Sequence, residues 1–326
     1  RPLLLKHLSL RMGILVSIVM LMSACGKAPS GNAADFDQPY PPTTGGTLID
    51  ATIGEPSGLI PMIAGEAAAS AVASNIFNSL LKYDKNLELQ GELAKSWSVS
   101  PDQKTITFKL KPGLKWADGK PLSSADVLFT WKLVTDDNTR TPYGADYKLV
   151  ILAETPDATT FRVSYANPYA PALDSWAGLQ ILPEHLLKGQ DINTTAFRFK
   201  PVGSHYYKLE EWKPGERISL VRNPNSTQGP PRIDRLVSRF IPDPAAQFLE
   251  LLADNIDSMT LNPIQYSRIV PSREDLQKKL ALYKELGNNY TYLGFNLKHK
   301  PFDDIRVRQA INYAIDKQEL IDGVLL

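Results

Sequence analysis

The sequence predicts a mixed α+β fold, because strand-like and helix-like patterns follow each other irregularly along the chain. Runs that alternate between apolar and polar residues and are rich in β-branched side chains recur, several of them paired across a tight turn. Other runs place apolar residues at helical spacing. Paired strands form hairpins without crossover helices, so the pattern favours neither a regular βαβ ladder nor an all-β sandwich.

The first part of the body predicts a strand, a helix and a hairpin. Residues 46–53 (GTLIDATI) alternate and predict a strand, which the turn formers of residues 54–58 end. Residues 66–81 predict a helix, with Val72, Ile76, Phe77, Leu80 and Leu81 on its apolar face. Residues 95–99 and 105–110 predict the two strands of a hairpin.

Local signals also predict the elements that follow. Ser123 and Asp126 fit a capping box at the start of a helix. Pro244 suits the first position of another helix, because the N–H that proline lacks would have no helical partner there. The remaining elements are predicted at residues 160–165 (strand), 183–188 (short helix), 206–212 and 217–222 (hairpin), 236–241 (strand), 243–253 (helix) and 256–261 (strand).

Residues 290–326 predict a strand, a turn and two helices that stop in the middle of an element. We therefore expect the chain to be a fragment, truncated at the C-terminus. Its final helices should then expose apolar side chains that an unfinished core leaves uncovered. These side chains are Ile311, Ala314, Ile315, Leu320 and Ile321.

Residues 1–25 predict an export signal that ends in a lipid-attachment site. The apolar run of residues 12–22 follows a basic start and is about half the ~20 apolar residues that a spanning helix needs. The residues before Cys25 resemble a bacterial lipobox, so cleavage before Cys25 and lipidation of its sulfur are expected; the alternative is an incidental cysteine. Residues 26–45 predict a flexible tether.

Composition and motifs narrow the functional classes. The formal net charge is +1, whereas a nucleic-acid interface favours a concentrated basic face, so we expect no nucleic-acid partner. The sequence contains no Gly-x-Ser-x-Gly elbow, no phosphate-binding Gly-rich lysine loop and no His-Glu-x-x-His motif. Its four histidines are far apart. We therefore predict no catalytic residue, no metal site and no cofactor.

Three segments resemble one protein family. Residues 91–136 (GELAKSWSVSPDQKTITFKLKPGLKWADGKPLSSADVLFTWKLVTD), 201–257 and 292–324 are similar, in order and spacing, to the family 5 extracellular solute-binding proteins, which are peptide receptors of ABC importers. The chain departs from that pattern at residues 204–206 (Ser-His-Tyr), where the family usually has Thr or Ser, Gly, and Pro or Ala. It also departs at residues 254–255, where Asp-Asn replaces Gly-Glu but can still make the turn.

The resemblance implies a two-lobed fold of the periplasmic-binding-protein type II kind, with an extra subdomain on one lobe. Lobe one would comprise residues 46–78 and 187–285, and the extra subdomain residues 79–186. The second lobe would begin at residue 286 and be incomplete. Strands near Tyr283–Asn296 would act as a hinge between the lobes.

The resemblance also implies a binding function without catalysis. An extended peptide would be held in the cleft between the lobes by backbone hydrogen bonds. The partners would be ABC permease subunits with their ATPases, and the membrane through the lipid anchor. The protein would be an exported monomer facing the periplasm or the cell exterior. Relatives of this fold also bind nickel chelates, haem, sugars or opines, and a secreted hydrolase or a structural envelope lipoprotein are further alternatives.

Nine residues are candidates for the ligand cleft. They are Gly65, Glu66 and Ala67 at the start of a cleft-facing helix, Tyr143 in the subdomain, Thr260 and Asn262 after a strand, and Tyr290, Tyr292 and Asn296 on the hinge strand. Structural roles compete with these assignments. Tyr292 could pack in a core, Tyr143 could be a surface turn residue, and Glu66 could interact with the helix dipole.

Overall fold

The strands of the protein form two four-stranded sheets and one two-stranded ribbon in the part of the chain that is described. The computed structural model describes residues 43–284 and 292–325. These residues divide into two compact units. The first unit comprises residues 43–260, and the second unit comprises residues 261–284 and 292–325.

The elements confirm the mixed α+β class. The strands are β1 (Thr47–Thr52), β2 (Leu81–Tyr83), β3 (Leu89–Gly91), β4 (Ala94–Val99), β5 (Thr105–Leu110), β6 (Val150–Asp157), β7 (Thr160–Tyr165), β8 (Tyr207–Lys213), β9 (Arg217–Arg222) and β10 (Arg235–Phe240). The helices are α1 (Ala67–Ala73), α2 (Ser124–Thr135), α3 (Gly144–Tyr147), α4 (Ala172–Gly178), α5 (Glu184–Leu187), α6 (Pro244–Leu252), α7 (Glu274–Lys279), α8 (Ile305–Ala314) and α9 (Lys317–Leu320).

The first sheet has the strand order β1-β10-β9-β8. β1 and β10 are parallel, with Ile49 opposite Val237, although almost the whole first unit separates them in the sequence. β9 runs antiparallel to both of its neighbours and forms the predicted hairpin with β8. Ile218 and Leu220 are buried on one face of this sheet.

The second sheet has the order β4-β5-β7-β6 and is antiparallel throughout. Phe108 on β5 lies opposite Phe161 on β7. Both rings pack against the fully buried ring of Trp176 on α4, with centroid distances of 5.9 and 5.2 Å. Trp116 is also fully buried, while Trp97 and Trp131 pack against the same core. This sheet lies within the residues predicted for the extra subdomain, and the lobe boundaries stay predictions.

Both predicted helix starts with side-chain caps are confirmed. At α2, the Ser123 side chain accepts a hydrogen bond from the backbone of Ala125, and the Asp126 side chain accepts one from the backbone N–H of Ser123. At α6, the Asp243 side chain accepts from the N–H of Ala245, and Pro244 is the first helical residue. Asp254 adopts the left-handed conformation, with φ of 61°, that its turn requires.

The helix predicted over residues 66–81 is wrong in length, because α1 ends at Ala73. Beyond it, the N–H groups of Asn75, Ile76 and Phe77 still bond to the last turn of the helix, but the carbonyls that follow bond to distant segments. The Ile76 carbonyl accepts from the N–H of His205 at 3.0 Å, and the Leu80 carbonyl accepts from the N–H groups of Glu92 and Ala94. These long-range bonds satisfy the groups that a longer helix would use.

The strand predicted over residues 256–261 is wrong. Only an isolated parallel bridge joins Ser258 to Asp50 on β1. The reason is that the Asp257 side chain accepts from the N–H of Ile49 at 2.7 Å, while the Ile49 carbonyl accepts from the N–H of Asp257 at 2.7 Å. A side chain thus takes the position that a strand carbonyl would fill.

The predicted hinge strand near Tyr283–Asn296 is not formed in its described part. Residues 281–284 and 292–296 belong to no strand, and residues 285–291 lie outside the described residues. Asn296 makes a local turn, because its side-chain oxygen accepts from the N–H of Lys298 at 3.1 Å. This local bond competes with an extended backbone.

The second unit contains helices and turns in its described residues. Asp304 caps α8 and pairs with Arg306 at 2.6 Å. Arg308 instead donates to the carbonyls of Phe302 and Asp303. Among the side chains predicted to be exposed, those of Ala314, Leu320 and Ile321 are exposed and those of Ile311 and Ile315 are half-buried. Within the described residues, no helix has the length and apolarity needed to cross a membrane.

Candidate functional site

A cavity of about 540 Å³ in the first unit brings α1 and Tyr143 together. α1 contributes Ser70 and its C-cap residue, Ser74, to one wall. The segment around α3 contributes Tyr143 and Asp146, and α4 contributes Asp174. Of the predicted cleft residues, Tyr143 lines this cavity, whereas Gly65, Glu66 and Ala67 do not; the helix that follows them contributes Ser70 in their place.

A larger hollow of about 1230 Å³ lies on the open face of the first sheet, but its charges are already paired. Arg217 pairs with Glu211, Arg235 with Glu210, and Arg239 with Glu250, at 3.0, 2.6 and 2.7 Å. None of the predicted cleft residues lines it. We therefore take the smaller cavity as the candidate functional site.

α1 presents its polar side chains to the cavity because of its helical period. Ser70 and Ser74 are four positions apart and so lie on one face. Ala69, Val72 and Ala73 are buried on the other side of the helix. Gly65 and Ala67, at the start of this helix, are exposed, and nothing lies within 4 Å of where a Gly65 β-carbon would stand.

Glu66 is the N-cap residue of α1, but it does not cap the helix with its side chain. Its carboxylate accepts from the N–H of Ser57 at 2.6 Å and so fixes the preceding loop to the helix start. Burial acts to raise the pKa of Glu66, but the hydrogen bonds from Ser57 outweigh it, so the pKa is lowered. The Glu66 carboxylate is therefore ionised at neutral pH and anchors the loop.

The position of Tyr143 at the cavity is set by a turn whose next residue, Gly144, has no room for a side chain. A β-carbon on the following residue, Gly144, would stand 2.7 Å from the Val134 carbonyl oxygen near the end of α2. The Tyr143 N–H is bonded to the Thr141 hydroxyl at 3.2 Å. The Tyr143 side chain is 46% exposed, so its ring remains available to a ligand.

The charge of the cavity comes from two carboxylates, those of Asp146 and Asp174. The described lining residues include no lysine, arginine or histidine. The Tyr83 hydroxyl donates to Asp174, and this hydrogen bond is the main cause that raises the pKa of Tyr83. Hydroxyls and carboxylates of this kind bind hydrogen-bond donors and cations. No nucleophile and histidine base face each other there, so the lining supports binding better than nucleophilic catalysis.

The other predicted cleft residues do not line this cavity. Thr260 is exposed at the end of the first unit. In the second unit, Asn262 and Gln265 cap each other's backbone, at 2.9 and 2.8 Å, so the Asn262 oxygen is occupied. Tyr292 is 74% exposed. Tyr290 and Cys25 lie outside the described residues.

Sequence reasoning missed Ser70, Ser74, Asp146 and Asp174. The i,i+4 spacing of the two serines could have placed them on the polar face of α1. No comparable signal exists for the aspartates, which are brought to the cavity by tertiary packing of α3 and α4. Among the described residues, no three His, Cys, Asp or Glu side chains gather as a metal site.

Comparison with protein families supports the resemblance seen in the sequence. The profile of the bacterial extracellular solute-binding proteins, family 5 Middle, matches residues 88–326. The chain is 29% identical over 328 residues to the oligopeptide-binding protein AppA of Bacillus subtilis, covering 98% of this chain and 59% of AppA. It is 26% identical over 341 residues to heme-binding protein A of Haemophilus influenzae, covering 95% of this chain and 60% of that protein.

Solved structures give the same result. AppA from Bacillus subtilis in complex with a nonapeptide superposes with a TM-score of 0.78 at 27% identity, covering 87% of this chain and 56% of AppA. NikZ from Campylobacter jejuni in complex with Ni(L-His) superposes with a TM-score of 0.73 at 26% identity, covering 85% of this chain and 55% of NikZ. The chain thus spans less than two thirds of the length of the relatives it matches.

Proposed function

Because this chain belongs to the bacterial extracellular solute-binding proteins of family 5, we propose that it captures peptides for import by an ABC transporter. The observation that carries this proposal is the likeness to AppA, whose structure holds a nonapeptide. Sequence identity below a third does not fix the ligand, so the local chemistry of the cavity must support the same function.

The cavity chemistry is suited to a peptide. Ser70, Ser74 and Tyr143 offer hydroxyl groups, and Asp146 and Asp174 accept hydrogen bonds, so a ligand rich in N–H groups finds partners. Tyr143 offers a ring face of moderate exposure for an apolar side chain. A cavity of this volume that combines hydroxyls and carboxylates with apolar walls can accept different side chains, which suits a receptor for many peptides.

The remaining parts of the function follow from the family and the N-terminal sequence. Export, cleavage before Cys25 and lipidation of its sulfur would hold the protein at the outer face of a membrane. Permease subunits with their ATPases would receive the ligand. The lobe arrangement implied by the resemblance, with closure around the ligand, would control capture and release.

A non-peptide ligand is the second candidate function. The observation in its favour is that two relatives, heme-binding protein A and NikZ with Ni(L-His), are named for other ligands. The two carboxylates of the cavity would suit a cationic ligand of either class. A hydrolase is less well supported, because the cavity pairs no nucleophile with a histidine base.

Native mass spectrometry of the full-length protein, purified gently from its host, tests the proposal. We expect co-purified masses that dissociate on denaturation and fragment as peptides. A matched Tyr143→Ala variant should carry less of the same peptides. Recovery of only a metal chelate, haem, sugar or opine would overturn the peptide assignment and favour the second candidate. Turnover of a chromogenic ester or peptide substrate would instead favour a hydrolase.

A further inference from the structure

The largely buried side chain of His205 lies where the chain leaves α1. The segment of residues 203–207 runs beside the chain that leaves α1. The N–H of His205 donates to the Ile76 carbonyl, and the N–H of Tyr207 donates to the Asn75 carbonyl, both at 3.0 Å. The Ser204 hydroxyl donates to the Asn78 side chain at 2.8 Å. The end of α1 is therefore fastened to this segment.

Glu92 completes the junction from the segment between β3 and β4. One of its oxygens accepts from the N–H of Ser79 at 2.7 Å, and the other lies 3.5 Å from Nε2 of His205. The two side chains are only 9% and 13% exposed. A histidine and a carboxylate thus meet out of water where the chain leaving α1 joins the strands of the predicted subdomain.

The surroundings of His205 disfavour its protonated form. Burial is the main cause that lowers the pKa of His205 to about 4, with Lys82 acting in the same direction and the backbone of Ser74 and Asn75 opposing it. Burial raises the pKa of Glu92, while Lys82 and Lys111 act to lower it. Nδ1 of His205 is buried and makes no hydrogen bond within the described residues. Protonation of His205 would place a charge where little water can solvate it.

We propose that the junction between the end of α1 and the adjoining strands is acid-sensitive through His205, which lies against Glu92: the contribution of His205 to the junction is lost as the pH falls. α1 is also the wall that carries Ser70 and Ser74, so weakening the junction loosens one side of the cavity. The junction itself is independent of the ligand; only its consequence for binding rests on the proposed function.

The direction of the pH dependence follows from linkage. An unfolded histidine titrates near 6.5, whereas His205 in the folded protein titrates at about 4. Between these values the unfolded chain binds the proton and the folded protein does not, so His205 makes stability fall as the pH falls. Glu92 has the opposite sign, because its folded pKa is raised and protonation is favoured in the folded state. The His205→Gln variant removes only the contribution of the histidine, so comparing it with the unsubstituted protein separates the histidine effect from that of Glu92.

Urea unfolding of the full-length protein and of His205→Gln between pH 4 and pH 8 tests this inference. We expect the unfolding constant of the unsubstituted protein to rise about sixtyfold relative to that of His205→Gln as the pH falls from 7 to 4.5. His299→Gln, a change at an exposed histidine of the second unit, serves as the control and should follow the unsubstituted protein. Parallel curves for the unsubstituted protein and His205→Gln would overturn the inference.

Two measurements on the unsubstituted protein keep the test decisive if His205→Gln does not fold. The ring protons of His205 followed by NMR should not titrate until about pH 4, and titration near 6.5 would overturn the inference. Amide exchange in residues 74–79, corrected for its intrinsic pH dependence, should accelerate at pH 5 relative to pH 7. Unchanged protection there would show that the pair does not fasten α1. None of these experiments contains ligand, so they are decided independently of the peptide assignment.

Discussion

Gly203 packs directly against the backbone of Ile76, so closely that a β-carbon built on Gly203 would overlap the Ile76 carbonyl oxygen. The same carbonyl accepts the N–H of His205. The contact therefore fixes where the chain leaving α1 meets the segment that enters β8, and it does so through backbone atoms that cannot move aside like a flexible side chain.

Replacing Gly203 with alanine should destabilise the protein by about 3 kcal/mol, because the added methyl group forces the two backbone segments apart. Urea unfolding measures the change. Gly54→Ala is the matched control, since nothing lies within 4 Å of its β-carbon position and no such loss is expected. Equal stability of the two variants would contradict the close packing.

Asp126 holds the start of two helices at once. Its carboxylate accepts from the N–H of Ser123 at 2.9 Å and from the N–H of Glu184 at 3.0 Å. Asp126→Ala should cost about 3 kcal/mol, because two partly buried N–H groups lose their acceptor. Ser123→Ala, which removes one cap, should cost about 1 kcal/mol. Thermal or urea unfolding that ranks Ser123→Ala as the more damaging change would refute this account.

Asp157 should stabilise the turn between β6 and β7 only when ionised. Hydrogen bonds from the side chain of Thr160 and then from Thr159 hold the pKa of Asp157 well below its usual range. The stabilisation is present above the unfolded pKa and lost as the pH falls through the folded one. The unsubstituted protein should therefore exceed Asp157→Asn in melting temperature at pH 6, and the gap should shrink toward pH 2. A gap independent of pH would rule this out.

The buried indole of Trp176 depends on a single polar partner. Its N–H donates to the Tyr165 hydroxyl at 3.0 Å. Tyr165→Phe should cost about 1–3 kcal/mol in unfolding free energy, because the indole N–H stays buried without an acceptor. Tyr313→Phe is the control, because the Tyr313 side chain is 87% exposed and removing its hydroxyl leaves no buried group without a partner. A neutral effect of Tyr165→Phe would mean that water replaces the hydroxyl.

Tyr143→Ala should weaken peptide binding without affecting the fold. The ring is half-exposed at the cavity, so its loss removes ligand contact and little core packing. We expect the dissociation constant for a mixture of synthetic nonapeptides, measured by calorimetry, to rise about tenfold. This rise corresponds to a loss of about 1.4 kcal/mol in binding free energy. Tyr313→Ala, far along the sequence on α8, should bind like the unsubstituted protein. Unchanged affinity of Tyr143→Ala would remove Tyr143 from the site.

The parts of the fold that sequence analysis predicted correctly have local causes. The caps at Ser123 and Asp243, and the hairpin that turns between β8 and β9, depend on residues a few positions apart. The errors have non-local causes. α1 ends early because Ile76 is bonded to His205, and residues 256–261 form no strand because the Asp257 side chain binds Ile49.

The candidate site divides in the same way. The family resemblance pointed to Tyr143, which lines the cavity, and to Gly65, Glu66 and Ala67, which do not. Asp146 and Asp174 could not be predicted, because α3 and α4 reach the cavity only through packing of the whole first unit. Glu66 was predicted from its position, but its bond to Ser57 depends on a loop whose course no periodicity indicates.

The parallel pairing of β1 with β10 has a consequence for synthesis of the protein in the cell. Ile49 leaves the ribosome long before Val237 is synthesised, so β1 stays unpaired during that time. The antiparallel sheet β4-β5-β7-β6, whose strands are close in sequence, can assemble in the same interval. During that interval β1 has unpaired N–H and C=O groups, so the growing chain is most exposed to wrong pairing and most in need of a chaperone.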